Sequence, residues 1–250
     1  MSAMFGQIVL HDVTLGYERH PAVHHVGGAF TSGSLTAVIG PNGGGKSTLL
    51  KGVMGLLRPL GGRVTLTGFH RRDLAYLPQQ AEVDMDFPIS VLDTVLFGHW
   101  HRLGPFRAMT KAHRDAGLAA LAAVGLTGFE HRAIGSLSVG QRQRALFARV
   151  MVADSPVILL DEPFAAVDTR TTADLLDLVM RWHGEGRTVV AVLHDYDQVR
   201  RHFPQTLLLA RELIDWGPTE DVLVPAKLLR ARAMSEAWEQ QAEVCRRGAA

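Results

Sequence analysis

One cysteine, Cys245, stands in 250 residues. No intrachain disulfide framework or cysteine-based zinc site can form, and a cytosolic, reducing setting is expected. There is no surplus of one charge either: 26 Lys and Arg face 25 Asp and Glu, a formal net of +1. Nucleic-acid-binding domains usually carry a basic surplus or stripe, so no nucleic-acid partner is expected. Long apolar runs are missing as well. The longest uncharged stretch of interest, Ala116–Phe129, is too short and too rich in Ala and Gly to span a bilayer. The start, MSAMFGQIVLHD, lacks a basic segment leading into an apolar one, so no secretory leader is expected. No internal repeat and no low-complexity linker interrupts the chain. What is present is an apolar fraction of 47%, enough for a sizeable core in one large domain or a core with one insertion.

The order of segments then points to an α/β fold. Gln7–Val13 and Leu35–Ile39 read as strands, the second running straight into a glycine-rich loop. A helix is expected from Lys46 to about Leu57, closed by Pro59, Gly61 and Gly62. Arg63–Thr67 and Leu74–Leu77 read as further strands. From about Glu82 to Ser136 the composition turns helical, with Lys111–Val124 the clearest element, as an inserted helical subdomain would. Val157–Leu160 is a short apolar run ending in Asp161 and Glu162, the pattern of a parallel strand buried on both faces. Leu175, Leu178, Val179 and Trp182 then recur at helical spacing. Thr188–Leu193 is the next buried strand, Gln205–Ala210 with Glu212–Trp216 a late hairpin, and the residues after Pro225 a short helix packed back on the core.

Gly40-Pro-Asn42-Gly43-Gly44-Gly45-Lys46-Ser47-Thr48 has the full Walker A spacing between a strand and a helix. The glycines let backbone N–H groups converge on phosphate oxygens that side chains would hold away. Lys46 offers a point charge to the β- and γ-phosphates, Ser47 a hydroxyl to Mg²⁺, and the helix start its positive end. Asp161, at the carboxyl end of its strand, is the expected Mg²⁺ ligand, since open α/β sheets place their sites there. Glu162 beside it is the candidate base or orienting group for a water attacking the γ-phosphate. The chain therefore reads as a P-loop ATPase using ATP and Mg²⁺.

Leu137-Ser138-Val139-Gly140-Gln141, followed by Arg142-Gln143-Arg144, resembles the signature motif of ABC-type ATPases. With the Walker motifs, the resemblance covers roughly residues 5 to 220. It implies an ABC-type P-loop core with an N-terminal antiparallel β-region and an inserted helical subdomain. The expected division is an ATPase domain over 1–224, its helical subdomain at about 82–153, and a helical tail over 225–250. It also implies roles. Tyr17 would stack on adenine, Gln79 would touch Mg²⁺ and the attacking water, Asp168 would lie at a dimer interface, and His194 would contact the γ-phosphate. The partnership implied is a head-to-tail homodimer, each ATP held by Lys46 of one copy and by Ser138, Gly140 and Gln141 of the other. Two departures stand out. Val139 replaces the first of the usual two glycines, and Gly44 fills a position where alanine is commoner.

Nothing in the ATPase motifs names a cargo. The stretch Tyr76-Leu-Pro-Gln79-Gln-Ala-Glu82-Val-Asp84-Met-Asp86-Phe-Pro88, continuing through Val95, resembles the ATPase subunits of bacterial zinc, manganese and iron(II) importers. That resemblance implies integral membrane permease subunits, a periplasmic or extracellular metal-binding protein, and a peripheral place on the cytoplasmic face of the cell membrane. Zinc is favoured, with manganese and iron as alternatives. The competing reading is a soluble ABC ATPase acting on nucleic acid or ribosomes. The charge balance and the single nucleotide-binding unit count against it. His20, His24 and His25, expected in a loop, and His99 with His101 around Trp100 are read as surface histidines.

Overall fold

A computed structural model describes residues 6–18, 20–79, 88–104 and 107–247; of 238–247 it describes the backbone alone. In chain order the elements are β1 (Gln7–Tyr17), β2 (His20–Thr31), β3 (Leu35–Ile39), α1 (Lys46–Met54), β4 (Gly61–Thr67) and β5 (Leu74–Leu77). Then follow α2 (Val91–Leu96), α3 (Trp100–Leu103), α4 (Lys111–Ala123), α5 (Val139–Ala153), β6 (Val157–Asp161) and α6 (Thr169–Gly184). The chain ends with β7 (Thr188–Val192), α7 (Tyr196–His202), β8 (Gln205–Ala210), β9 (Glu212–Pro218), α8 (Thr219–Val222) and α9 (Pro225–Arg247). Two compact units emerge: one takes the chain up to Arg71 and from Val190 onward, the other Arg72–Val189.

In the first unit the strands run β4-β1-β2-β9-β8-β3. β1 pairs antiparallel with β2 (Gln7 opposite Thr31) and with β4 (Gln7 opposite Thr67). β3 pairs parallel with β8 (Thr36 opposite Gln205). The burial patterns follow from that difference. β1 alternates, with Ile8, Leu10, Val13 and Leu15 buried, as an antiparallel strand with one wet face does. β3 is buried at every position, as a central parallel strand covered on both faces must be. Phe30 and Trp216 close one end of this core, ring centroids 4.5 Å apart.

β2 was not foreseen, and the loop expected for its histidines is corrected: His20, His24 and His25 lie on a strand. Gly27, Gly28 and paired histidines have little intrinsic β preference, but the segment is paired along one edge to β1 and meets β9 along the other at His24 and Glu212. The expected stop of α1 is corrected too. Gly55, not the Pro59 region, ends it, in the left-handed conformation at φ 82° with its N–H on the Gly52 carbonyl. The tail helix, expected to be short, runs 23 residues. Within the first unit it starts against β9, with Ala231 buried and Lys227 paired with Asp215.

In the second unit β5 and β6 are parallel neighbours, Tyr76 opposite Leu159 and Leu77 opposite Leu160. Helices gather around α5, which buries Ala145, Leu146, Phe147, Ala148 and Val150. Phe147 stacks on Trp182 of α6 at 5.7 Å with the rings 9° from parallel, an arrangement worth about 0.5–1.5 kcal/mol beyond area burial. Leu175, Leu178 and Val179 join Trp182 on the buried stripe of α6. Gly98 lets its turn lie on α5, since a Cβ there would stand 2.1 Å from the Arg149 carbonyl oxygen. Among the described residues no helix is long and apolar enough to cross a membrane.

Candidate active site

The phosphate loop leaves β3 and turns three times through conformations that side chains avoid: Gly40 at φ 150°, Gly43 at 72° and Gly45 at 87°. A Cβ on Gly40 would stand 1.8 Å from the Leu209 carbonyl oxygen, and one on Gly45 would stand 2.5 Å from that of Ala22. The loop thus needs glycine for its shape and for the closeness of its neighbours. Gly44 is also tight, a Cβ there lying 2.9 Å from the Pro41 carbonyl oxygen, so glycine in place of the commoner alanine relieves this turn.

Lys46 opens α1 and is buried, its Nζ donating to the carbonyls of Gly40 at 3.0 Å and Pro41 at 2.8 Å. The ammonium is thereby held over the loop that its own residue closes. No acidic residue sits in the first turn of α1 and no side chain caps it, so its leading N–H groups and dipole favour an anion. Ser47 is half-buried and Thr48 buried in that first turn, while Asn42 is exposed on the loop. In the same unit Leu193 donates its N–H to the Val38 carbonyl at 3.1 Å. This bond brings exposed His194 to the end of β3 where the loop begins. Tyr17, 49% exposed at the end of β1, presents a bare ring.

The second unit gathers the carboxylates. Asp161 is fully buried, and its Oδ2 accepts from the Tyr76 hydroxyl at 3.1 Å. Glu162 follows at φ 50°, a left-handed conformation unusual outside glycine, and accepts from Gln79 Nε2 at 2.9 Å. Ser138 caps α5: its hydroxyl accepts from Gln141 N–H, and the Gln141 side-chain carbonyl accepts from Ser138 N–H. Gln141, expected at the partner copy's ATP, closes this cap with its side-chain carbonyl. Val139 is the first helical residue and 36% exposed. Its branched side chain meets no steric demand for glycine there. Half-buried Gly140 faces Asp168, a Cβ there lying 3.5 Å from the Asp168 carboxylate. Asp168 caps α6 by accepting from Thr171 N–H at 2.9 Å, and that bond holds its carboxyl below the ordinary range.

Three residues escaped the sequence reading. Tyr76 is one. Gln143, fully buried, donates to the Pro163 carbonyl at 2.6 Å and anchors the turn after Glu162. Arg149 donates to the Tyr76 carbonyl at 3.3 Å, and burial pushes its pKa below the usual guanidinium value. A polar residue on the apolar face of α5 was the signal available for the last two. His99 was read as a surface residue, yet its ring lies 4.7 Å from that of His113, and burial, then His113, push its pKa down. Gln80–Phe87, the heart of the acidic-aromatic-proline stretch, and the His101 side chain lie outside the described residues.

Residues 23–165, more than half the chain, match the ABC transporter family. The chain belongs to that family. A manganese transport system ATP-binding protein of Listeria monocytogenes is 40% identical over 223 residues, which is 88% of this chain and 93% of that protein. One from Synechocystis is 39% identical over 202 residues, 78% of each. Among solved structures, an inward-facing ABC transporter of the metal-chelate type aligns with a TM-score of 0.78 at 30% identity, covering 90% of this chain and 87% of that one. A dimeric bacterial ABC transporter cassette aligns at 0.74 and 27%, covering 85% and 98%. The ABC subunit is therefore a P-loop ATPase of mixed α/β architecture that binds and hydrolyses ATP.

Proposed function

We propose that this ABC subunit energises import of a divalent transition metal through a membrane permease, with manganese the foremost cargo. The observation that carries this reading is the likeness to manganese transport ATP-binding proteins over nearly the whole of both chains. Others come from Listeria innocua, at 38%, and Bacillus subtilis, at 37%. The earlier preference for zinc finds no support among these relatives, and the alternative, manganese, takes its place. Selectivity rests in ligand geometry elsewhere in such a system, so no residue of this subunit need touch the ion.

The chemistry assigned to each residue follows its setting. Lys46 and the loop amides would hold the β- and γ-phosphates, Thr48 and Asn42 supporting the loop, and Tyr17 would lie against adenine. Ser47, Asp161 and Gln79 each carry a hard oxygen donor of the kind Mg²⁺ takes, and these residues would hold the ion, which would supply positive charge to offset that of the phosphates. Gln79 donates through Nε2 to Glu162, so its carbonyl oxygen is the atom it would turn to that ion. Glu162, oriented by the same bond, takes the proton of the attacking water, and His194 steadies the γ-phosphate. Across a homodimer, Ser138, Gly140 and the N-terminus of α5 complete the partner copy's site, Gln141 shaping the cap and Asp168 lying at the seam. A peripheral location on the cytoplasmic face, permease subunits and a periplasmic or extracellular binding protein complete the proposal.

Uptake of ⁵⁴Mn and ⁶⁵Zn in a deletion strain tests it. Lost manganese uptake with normal zinc uptake is expected, restored by the wild-type gene and not by Lys46→Ala. Lost zinc uptake alone would return the cargo to zinc, and unchanged uptake of manganese, zinc and iron under depletion would overturn metal import.

A further inference from the structure

We infer that Tyr76 is a positioning residue for the Asp161 carboxylate, holding it in a one-oxygen presentation that favours Mg²⁺ over larger cations. The inference rests on the reading of Asp161 as a Mg²⁺ ligand.

The geometry begins with register. Tyr76 on β5 lies opposite Leu159 on β6, and Leu159 shares its face of the sheet with Asp161, two residues on. The phenol therefore reaches along that face to the carboxylate, where its hydroxyl donates to Oδ2 at 3.1 Å. Asp161 is fully buried, so its rotamer is settled by protein partners. Tyr76 is itself held at its main chain, where Arg149 of α5 donates to its carbonyl. The bond just beyond the ends of these two strands, Gln79 to Glu162, is made by different residues and serves a different carboxylate.

Donation to one oxygen of a carboxylate disfavours bidentate ligation through both. Mg²⁺ demands near-ideal octahedral geometry and is satisfied by one oxygen per carboxylate, whereas Ca²⁺ accepts mono- or bidentate carboxylates in a flexible shell. A group that orients a ligand typically changes metal affinity by about 10–100-fold when removed. The phenol should thus matter more for Mg²⁺ than for Ca²⁺, a difference that a purely structural tyrosine would not produce.

The experiment uses the full chain with a fluorescent ATP analogue, titrating Mg²⁺ and Ca²⁺ separately and following nucleotide binding. For Tyr76→Phe, which removes only the hydroxyl, the half-saturating Mg²⁺ concentration should rise about tenfold. The Ca²⁺ value should move less than about twofold, with the metal-free melting temperature unchanged. Equal shifts for both cations, or none, would overturn the positioning role. So would failure of Tyr76→Phe to fold, which would assign the hydroxyl to the fold. Asp161→Asn is titrated alongside. If it keeps the wild-type Mg²⁺ dependence, the ligand reading itself falls; if it loses that dependence while Tyr76→Phe does not, only the role of Tyr76 falls.

Discussion

Gly43 and Gly45, on either side of Gly44, separate what the phosphate loop needs for its conformation from what it needs for space. Both have positive φ, 72° and 87°. A Cβ on Gly43 would meet nothing within 4 Å, whereas one on Gly45 would lie 2.5 Å from both the Ala22 carbonyl oxygen and Val23 Cγ2. Gly43→Ala should therefore cost only the left-handed conformation, about 1–2 kcal/mol. Gly45→Ala should cost that and an overlap with β2, whose backbone is pinned by the pairing of Val23 with Leu15. Overpacking of this kind costs about 1–3 kcal/mol, for a sum of about 2–5 kcal/mol. Urea unfolding of both variants measures the difference. Binding of a fluorescent ATP analogue should weaken more in Gly45→Ala, because the displaced turn carries Lys46 with it. Equal stability of the two variants would refute the claim that contact with β2 dictates glycine at position 45.

Other outcomes follow from the same geometry. Glu162→Gln should keep ATP binding and accumulate a dimer in ATP and Mg²⁺, read by size-exclusion chromatography; a nucleotide-bound variant that stays monomeric would count against the shared site. Val139→Gly should change steady-state ATP turnover by less than about tenfold, or roughly 1.4 kcal/mol, because Val139 is an exposed first helical residue; a gain of several orders of magnitude would show the signature to be crippled by valine. The Asp168 carboxyl is depressed below its ordinary 3.8 by the Thr171 N–H, so its stabilising contribution is complete above that pH and is lost as pH falls through the lower folded value. The melting-temperature gap between wild type and Asp168→Ala should hold steady from neutral pH down to about 4 and narrow below it; a gap that widened on acidification would reverse the assignment.

Motifs whose chemistry depends on chain-local spacing were legible without coordinates. The P-loop is one, because phosphate needs consecutive amides and a lysine that opens the following helix. The buried strands β3, β6 and β7 are others, because covering both faces leaves an uninterrupted apolar run. The amphipathic α6 declared its buried stripe through Leu175, Leu178, Val179 and Trp182. β2 did not show itself, since Gly27, Gly28 and its histidines carry no β pattern of their own and the strand exists through its neighbours. The end of α1 was misplaced because Gly55 acts through a left-handed conformation that composition does not announce. Tyr76 and Asp161 are 85 residues apart in sequence, and no local pattern links them. The sequence by itself determined the chemistry each segment carries, because that chemistry resides in residue type and short-range spacing. Tertiary structure alone decided which donor meets which carboxylate, because strand register brings together atoms that the chain holds far apart.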